Sequence, residues 1–410
     1  MKAYVIIGNG AAAVGCIEGI RTLDAEGKIT VISKEPRHVY SRPLISYYLE
    51  GRTDVERMKY RAADFYEKNG CEVLYGETVS KIDKDAKTVT TDKGSVIPYD
   101  TLCVATGSSP FVPPFEGLDT VEKKFSFMTL DDALALEKAL TKESRVLIVG
   151  AGLIGLKCAE GISARVKSIT VCDLADRVLS SILDAECAAI VQRHLEERGI
   201  RFLLADSAVK FEKNVAFMKS GKTVEFDALV LAVGVRANTA LVKEAGGEVN
   251  RGIIVGDGMQ TSLPDIYAAG DCAEGFDASL GAKRVLAILP NAYMGGQTAG
   301  INMAGGSAAF GNAVPMNSIG FFGLHIMSAG TYDGEMSEEK GDGFLKRFFV
   351  KDGYLKGFIL IGGTERAGIY TSLVRERIPL ETVDFEAIKK AASNFAFSQQ
   401  TRRRKFGGVV

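Results

Sequence analysis

The chain carries one block of residues twice, and this internal repeat constrains the fold more than any other feature. Residues 5–20 read VIIGNGAAAVGCIEGI, and residues 147–162 read LIVGAGLIGLKCAEGI. Two more pairs follow in the same order: KITVISKEPR (28–37) with SITVCDLADR (168–177), and YDTLCVATG (99–107) with FDALVLAVG (226–234). Three blocks that recur in the same order at similar spacing indicate two copies of one folding unit.

Each copy predicts a buried parallel strand, a tight glycine turn, a helix and a second strand. The first glycine permits the sharp turn, and the second lets the backbone approach a pyrophosphate. The third position is small, so that helix and strand pack closely. The three positions are Gly8, Gly10 and Ala13 in the first copy and Gly150, Gly152 and Gly155 in the second. Both copies therefore predict a dinucleotide site at a helix N-terminus.

An acidic residue at the end of the second strand selects the nucleotide. Asp173 stands 23 residues after Gly150, where a carboxylate accepts from a ribose 2′-hydroxyl and repels a 2′-phosphate. This position favours NADH over NADPH, although Arg177 follows four residues later. In the first copy the matching residue is Ser33, and Glu35 is either the ribose acceptor or an ordinary exposed glutamate.

The stretch TSLPDIYAAGD at 261–271 indicates which copy holds a flavin. It predicts a turn and a short strand that ends at Asp271, whose carboxylate can accept from a ribityl hydroxyl. FAD has such hydroxyls and NAD lacks them. A helix is predicted over 290–302, with Asn291 in its first turn and its N-terminus aimed at the flavin N1–C2=O edge. We therefore predict FAD at the first copy and NADH at the second.

Taken together, these motifs resemble the FAD- and NAD(P)H-dependent reductases of the pyridine nucleotide-disulfide oxidoreductase superfamily. The likeness is greatest to NADH:rubredoxin reductases, bacterial ferredoxin reductases and the flavoprotein portion of nitrite reductases, and it covers residues 1–395. The motifs are GNGAAA (8–13), EPRHVYSRPLIS (35–46), ATG (105–107), GAGLIG (150–155), AVG (232–234) and TSLPDIYAAGD (261–271). The resemblance implies FAD contacts at Arg42, Pro43, Ala105, Thr106 and Gly107, and places Ile154 and Gly234 at the NAD site.

Departures from the family pattern bear on the chemistry. The family's disulfide reductases and peroxidases carry redox cysteines, but residues 41–46 read SRPLIS and the seven cysteines form no C-x-x-C or C-x4-C pair. A thiol mechanism, a disulfide scaffold and a metal site are therefore not expected. Many relatives have Lys where Tyr47 stands, and most have Glu where Lys157 stands. Lys157 could take over that role, pair with Glu160 at i,i+3, or change the nicotinamide cofactor.

The predicted class is α/β, with an NAD unit inserted into a Rossmann-like FAD unit. The expected organisation is a first FAD-binding segment (1–112), the NAD(H)-binding domain (113–236), a second FAD-binding segment (237–311), a small C-terminal α+β domain (312–395) and a basic tail (396–410). Asp352-Gly353 predicts a hairpin, and 368–380 a helix. The run from Arg402 to Lys405 is either a solvated end or an arm for an acidic electron carrier.

Charge and hydropathy exclude other classes. Fifty Lys and Arg balance 51 Asp and Glu, so a nucleic-acid or anionic-membrane coat is not expected. No uncharged apolar run reaches the length of a membrane span, and cytoplasmic localisation is expected. We predict hydride transfer from NADH to FAD, then electron transfer to a rubredoxin- or ferredoxin-like protein or an iron–sulfur subunit, with a possible homodimer. The alternatives are an NADH oxidase or diaphorase, and a non-catalytic NADH- and FAD-sensing subunit.

Overall fold

The computed structural model describes residues 1–406, with side chains to residue 403. The chain folds into two compact units. The first contains Met1–Arg37, Tyr66–Gly107 and the described residues from Ala237 onward, and the second contains His38–Phe65 and Ser108–Arg236. The first unit is thus assembled from three separate chain segments.

The first unit is built on a five-stranded parallel sheet. Its strands lie in the order Ile266–Ala268, Thr101–Val104, Ala3–Ile7, Lys28–Ser33 and Cys71–Tyr75. The three central strands are almost wholly buried, which explains their continuous aliphatic character. The edge strand Ile266–Ala268 comes from the late segment of the chain, so residues far from the first repeat complete its sheet.

Helix Ala11–Arg21 follows the first strand and packs at backbone contact against helix Leu289–Met303. Glycines on both helices make this approach possible. A Cβ on Gly15 would lie 2.1 Å from the Tyr293 carbonyl oxygen, and a Cβ on Gly300 would lie 2.1 Å from the Cys16 carbonyl oxygen. Because no rotamer relieves a clash between a Cβ and a backbone oxygen, only glycine fits at these positions.

Gly300→Ala is therefore expected to destabilise the protein by about 3 kcal/mol, because the two helices must separate to admit the methyl group. Chemical denaturation of the purified variant measures this loss. Gly368→Ala is the matched control, since a Cβ there meets nothing within 4 Å and the residue lies in a helix. Equal stability of the two variants would contradict the close helix contact.

The first unit also contains a C-terminal antiparallel sheet. Its five strands lie in the order Met316–Phe321, Leu324–Gly330, Tyr354–Ile361, Phe344–Lys351 and Glu335–Gly341. Helix Gly368–Arg375 packs on it over a core that includes Phe348, Phe358 and Tyr370. Shorter elements complete the unit: strands Val79–Asp83, Thr88–Thr91, Val96–Pro98, Ile253–Ile254, Ala273–Asp277 and Ala282–Val285, and helices Ala240–Glu244, Phe385–Lys390 and Gln399–Phe406.

The second unit repeats the arrangement of the first. Its parallel sheet has the order Ile200–Leu203, Ser168–Cys172, Arg145–Val149, Ala228–Leu231 and Lys124–Phe125. Helices Leu130–Ala139, Leu153–Ile162 and Ala185–Glu196 accompany this sheet, and a three-stranded antiparallel sheet is formed by Ala208–Glu212, Val215–Met218 and Thr223–Glu225. Helix Ile45–Leu49, from the early segment, packs against Leu153–Ile162.

The predicted α/β class, with two parallel Rossmann-like sheets and a C-terminal sheet domain, is confirmed. The hairpin is also confirmed, since both Asp352 and Gly353 have the positive φ that its turn requires. The helix predicted over 368–380 is wrong at its end. It stops at Arg375, because Arg377 adopts a left-handed conformation two residues before Pro379.

Among residues 1–406, none of the helices has the length and apolar character needed to cross a bilayer.

The basic tail is described in part. The Arg402 guanidinium lies 5.5 Å from the centre of the Phe395 ring, and Arg403 is exposed. The side chains of Arg404 and Lys405 lie outside the described residues, and the docking role of this run stays a prediction.

Candidate dinucleotide sites

The first glycine loop (residues 8–13) makes a turn that requires glycine and leaves open space in front of its helix. Gly8 has φ +112°, and a Cβ there would lie 2.1 Å from the Ala105 carbonyl oxygen. Gly10 is the N-cap residue of helix Ala11–Arg21, with φ −111°, and a Cβ there would meet nothing within 4 Å. Ala13 is fully buried. The front of the helix N-terminus is therefore free for a phosphate.

The second glycine loop (residues 150–155) has the same geometry. Gly150 has φ +116°, and a Cβ there would lie 2.3 Å from the Ala232 carbonyl oxygen. Gly152 caps helix Leu153–Ile162 and faces open space. A Cβ on Gly155 would lie 2.0 Å from the Gly150 carbonyl oxygen, as expected where helix and strand pack closely.

The third repeated block (residues 99–107 and 226–234) has the same structural role in both units. In each unit it supplies the backbone against which the first glycine of the loop packs. The Ala105 N–H donates to Ile7 O at 2.8 Å, and the Ala232 N–H donates to Val149 O at 2.8 Å. The carbonyls of these two alanines are the atoms that a Cβ on Gly8 or Gly150 would strike. The sequence showed that the ATG and AVG blocks recur, but this contact depends on pairing between distant strands.

Thr106 and Gly107 are held by a residue that the sequence analysis missed. The Thr106 hydroxyl donates to Asn238 O at 2.9 Å, and the Asn238 amide donates back to Thr106 O at 2.9 Å. The Asn238 backbone N–H donates to Gly107 O, also at 2.9 Å. Gly107 has φ +65°, and a Cβ there would meet nothing within 4 Å. These bonds fix the strand end beside the first glycine loop.

Asp173 lies at the end of the second strand of its unit, as predicted, and it also supports the second glycine loop. Its Oδ2 accepts from the Ala151 N–H at 2.6 Å, and its Oδ1 accepts from the Ala175 N–H at 2.8 Å. Arg177 donates to Asp176 Oδ1 at 2.7 Å, so its charge is already paired with a neighbour. The negative charge of Asp173 therefore dominates this end of the loop.

The other predicted contacts lie in turns and loops. Glu35 is half-buried, and its carbonyl accepts from the Ser33 hydroxyl at 2.7 Å. Arg42 and Pro43 are exposed on the 3-10 turn Arg42–Leu44, which belongs to the second unit. Gly234 has φ +112°. Their roles toward a dinucleotide stay predictions.

A small cavity of about 40 Å³ adjoins the strand end before Asp271. Its lining includes Gly270, Arg284 and Asn291. Asn291 is 5% exposed, and its Nδ2 donates to Val314 O at 3.0 Å, whereas its Oδ1 is buried without a hydrogen-bond partner among the described residues. An unsatisfied buried acceptor is costly to the folded protein, so a donor on a bound ligand would stabilise it.

These features fit FAD in the first unit. The first glycine loop offers an unobstructed helix N-terminus for a pyrophosphate, and Asp271 follows a left-handed Gly270 at a strand end. The unpartnered Oδ1 of Asn291 can accept from an N–H such as the flavin ring carries. The second unit offers an equally open loop, and Asp173 lies beside it.

Lys157 pairs with Glu160, one of the three possibilities that the sequence left open. The two side chains are 17% and 5% exposed. The Lys157 Nζ also lies 4.5 Å from the centre of the Tyr47 ring, and the Arg52 guanidinium lies 4.5 Å from the same ring. Ile154 is half-buried in the first turn of the same helix. Its nearness to the nicotinamide stays a prediction.

The seven cysteines are free thiols, and all except the half-buried Cys71 are buried. Burial raises the pKa of Cys71 to about 11, that of Cys272 to about 11 and that of Cys172 to about 12. At pH 8 a thiol of pKa 11 is ionised to roughly one molecule in a thousand, and the thiolate is the reactive form.

We therefore expect iodoacetamide at pH 8 to leave NADH-dependent flavin reduction unchanged over an hour. Mass spectrometry of the native protein should show little alkylation, while a urea-unfolded sample should show all seven thiols modified. Rapid inactivation that follows the alkylation of one cysteine would instead indicate a redox thiol.

Comparison with known proteins agrees with this geometry. The model of the pyridine nucleotide-disulphide oxidoreductase family matches residues 2–296. The NADH-dependent phenylglyoxylate dehydrogenase subunit epsilon of Aromatoleum evansii is 32% identical over 391 residues, 92% of each chain. The NAD(P)H nitrite reductase of Bacillus subtilis (strain 168) is 32% identical over 389 residues, 92% of this chain but 47% of that protein, so this chain spans about half its length.

A solved structure shows the same fold. Putidaredoxin reductase, in its covalent complex with putidaredoxin, superposes with a TM-score of 0.86 at 24% identity, covering 95% of this chain and 99% of that one. The two Rossmann-like sheets, together with the family match and these relatives, define the class of protein as a flavoprotein oxidoreductase that uses NAD(P)H. The chain belongs to the pyridine nucleotide-disulphide oxidoreductase family.

Proposed function

We propose that the protein is an NADH-dependent FAD reductase that passes electrons to a separate small electron-carrier protein, such as a rubredoxin, a ferredoxin or an iron–sulfur subunit. The observation that carries this proposal is the pair of open glycine loops, one on each parallel sheet, combined with thiols that are held protonated by burial. The crystal structure that pairs putidaredoxin reductase with its putidaredoxin supports a protein acceptor.

The chain's own residues would bind and orient the two nucleotides. Gly10 and Gly152 would let the backbone amides of their helices reach the two pyrophosphates. Thr106 and Asn238 would keep the strand end beside the first loop rigid, and Asp271 would accept from the ribityl chain. Bound FAD would supply the chemistry that connects a two-electron hydride donor to a one-electron carrier. The role of the protein is positioning rather than side-chain acid–base catalysis.

Anaerobic reduction of the purified protein tests this function. We expect a yellow protein whose flavin absorbance is bleached by NADH and restored by an added rubredoxin or ferredoxin, with slow turnover on O2. Fast peroxide formation without a carrier would instead identify an oxidase or diaphorase. Stable reduction that changes the oligomeric state without carrier turnover would indicate a sensing subunit. If no rubredoxin or ferredoxin reoxidises the reduced flavin, the proposed class of electron acceptor is overturned.

Asp173→Asn is expected to lower the ratio of kcat/KM for NADH to kcat/KM for NADPH by at least about tenfold, or ~1.4 kcal/mol. The substitution removes the charge that repels a 2′-phosphate, and the amide oxygen can still accept from the Ala151 N–H, although the bond from the Ala175 N–H is lost. Steady-state kinetics with both cofactors measures the ratio, and thermal unfolding checks that the loop is retained. An unchanged ratio would remove Asp173 from cofactor selection.

A further inference from the structure

Arg375 is a half-buried cation in the first unit, and among the described residues no carboxylate hydrogen-bonds or ion-pairs with it. Arg375 ends helix Gly368–Arg375, and its Nη2 contacts Met294 Sδ at 2.7 Å. Its Nε is buried without a hydrogen-bond partner. Burial lowers the pKa of the guanidinium. The charge of the adjacent Glu376 opposes this lowering, but the Glu376 carboxylate accepts its hydrogen bond from the Ser372 hydroxyl.

This arrangement is unusual for arginine. A guanidinium has five N–H donors, and a thioether sulfur is a weak acceptor. By contrast, Arg347 in the same unit is buried but donates twice to Glu338, at 2.9 and 2.8 Å. The helix C-terminus favours a cation at Arg375 but provides no acceptor for the buried Nε. Among the described residues, the donors of Arg375 therefore lack the hydrogen-bonded anion that would normally offset its burial.

The contact with Met294 places Arg375 beside the second turn of helix Leu289–Met303. Helical side chains tilt toward the helix N-terminus, so Met294 covers the preceding turn, where Asn291 lies at i−3. Asn291 Oδ1 is the unpartnered buried acceptor described above. An unsatisfied acceptor in the first turn and an unsatisfied donor group beside the second turn therefore lie near the N-terminal part of a 15-residue helix.

We propose that Arg375 and Asn291 together receive the pyrimidine edge of the flavin, with Arg375 as a positioning residue that stabilises the reduced form. This edge presents an N–H between two carbonyls. The N–H matches the acceptor Oδ1 of Asn291, and the carbonyls match the donors of the Arg375 guanidinium. Hydride transfer from NADH, which leaves as NAD⁺, would add one negative charge to a bound neutral flavin. The Arg375 guanidinium near the N1–C2=O edge would favour that charge. The inference rests on the proposed function.

The flavin midpoint potential tests the role of Arg375 directly. Arg375→Met removes the charge and keeps an apolar neighbour for Met294. We expect it to lower the preference for reduced over oxidised flavin about tenfold, a fall of ~30 mV for a two-electron couple. Dye-equilibrated anaerobic titration measures this shift. Arg375→Lys should restore most of it, because a charge remains at the same place.

Arg377→Met is the matched control, because Arg377 is exposed two residues away, with its guanidinium 5.5 Å from the centre of the Tyr354 ring. We expect its potential to equal that of the wild type. An Arg375→Met protein that holds flavin at the wild-type potential would overturn the inference while leaving the proposed function intact. If that variant does not hold flavin, the flavin midpoint potentials of Arg375→Gln and Arg375→Lys are compared. Equal potentials in these two variants would overturn the inference. A wild-type protein that binds no FAD would instead overturn the proposed function.

Discussion

We expect Gly10→Val to give a folded protein that binds FAD at least about a hundredfold more weakly, a loss of ~2.8 kcal/mol. Gly10 has φ −111°, which any residue adopts, and the position of its Cβ faces open space. The side chain therefore costs the fold little. It occupies the space through which a pyrophosphate would approach the helix N-terminus. The flavin absorbance per mole of purified protein measures the effect.

Gly8→Ala is the contrasting variant for this experiment. Its methyl group would lie 2.1 Å from Ala105 O at a positive φ, so it should destabilise the loop itself. The thermal midpoint of Gly10→Val should stay within a few degrees of that of the wild-type apoprotein, whereas Gly8→Ala should unfold earlier. A Gly10→Val protein with its full complement of flavin would show that the first loop does not hold the pyrophosphate.

Gly152→Val is expected to raise the Kd for NADH about a hundredfold, or ~2.8 kcal/mol, while the bound flavin stays at one per chain. The reasoning is the same as for Gly10, because a Cβ on Gly152 also meets nothing within 4 Å and φ is −82°. Stopped-flow reduction at increasing NADH concentration separates binding from the rate at saturation. That saturating rate should fall far less than the affinity, since the substitution blocks binding at a distance from the reacting ring.

The pair of valine variants also tests which loop holds which nucleotide. If Gly152→Val loses flavin and Gly10→Val loses NADH affinity, the two assignments are reversed. If both variants lose flavin, the second loop does not act as a separate NADH site. Gly150→Ala, whose methyl group would lie 2.3 Å from Ala232 O, reports the cost of damaging the second loop itself.

Local patterns in the sequence were sufficient to predict the glycine turns. Gly8 and Gly150 lie in turns that need a positive φ. Glycine adopts this conformation without strain because it has no Cβ, so the residue type alone indicates the turn. Asp173 was predictable for a similar reason, because its place at a strand end depends only on spacing. The pairing of Lys157 with Glu160 was one of three possibilities, and only the side-chain geometry selected it.

Other features required contacts between segments distant in the chain. Asn238 holds Thr106 across 132 residues, and nothing in either local pattern indicates this bond. From the sequence, Arg375 is an ordinary arginine at a helix end, and its contact with Met294 depends on the tertiary structure. Likewise, Gly300 in the sequence is a residue of low helix propensity, and only the packing of a second helix against it explains why glycine is needed.

The sequence by itself determined two copies of a strand–glycine turn–helix unit and the class of nucleotide that such a unit binds. This was possible because the backbone conformation at glycine and the alternation of buried strands with helices are local properties of the chain. Only the tertiary structure decided which carbonyl each glycine faces, which helices meet at backbone distance, and which buried polar atoms lack partners. Those properties depend on groups brought together from distant segments of the chain, and hydrogen-bond satisfaction and steric exclusion act over distances in space rather than along the chain.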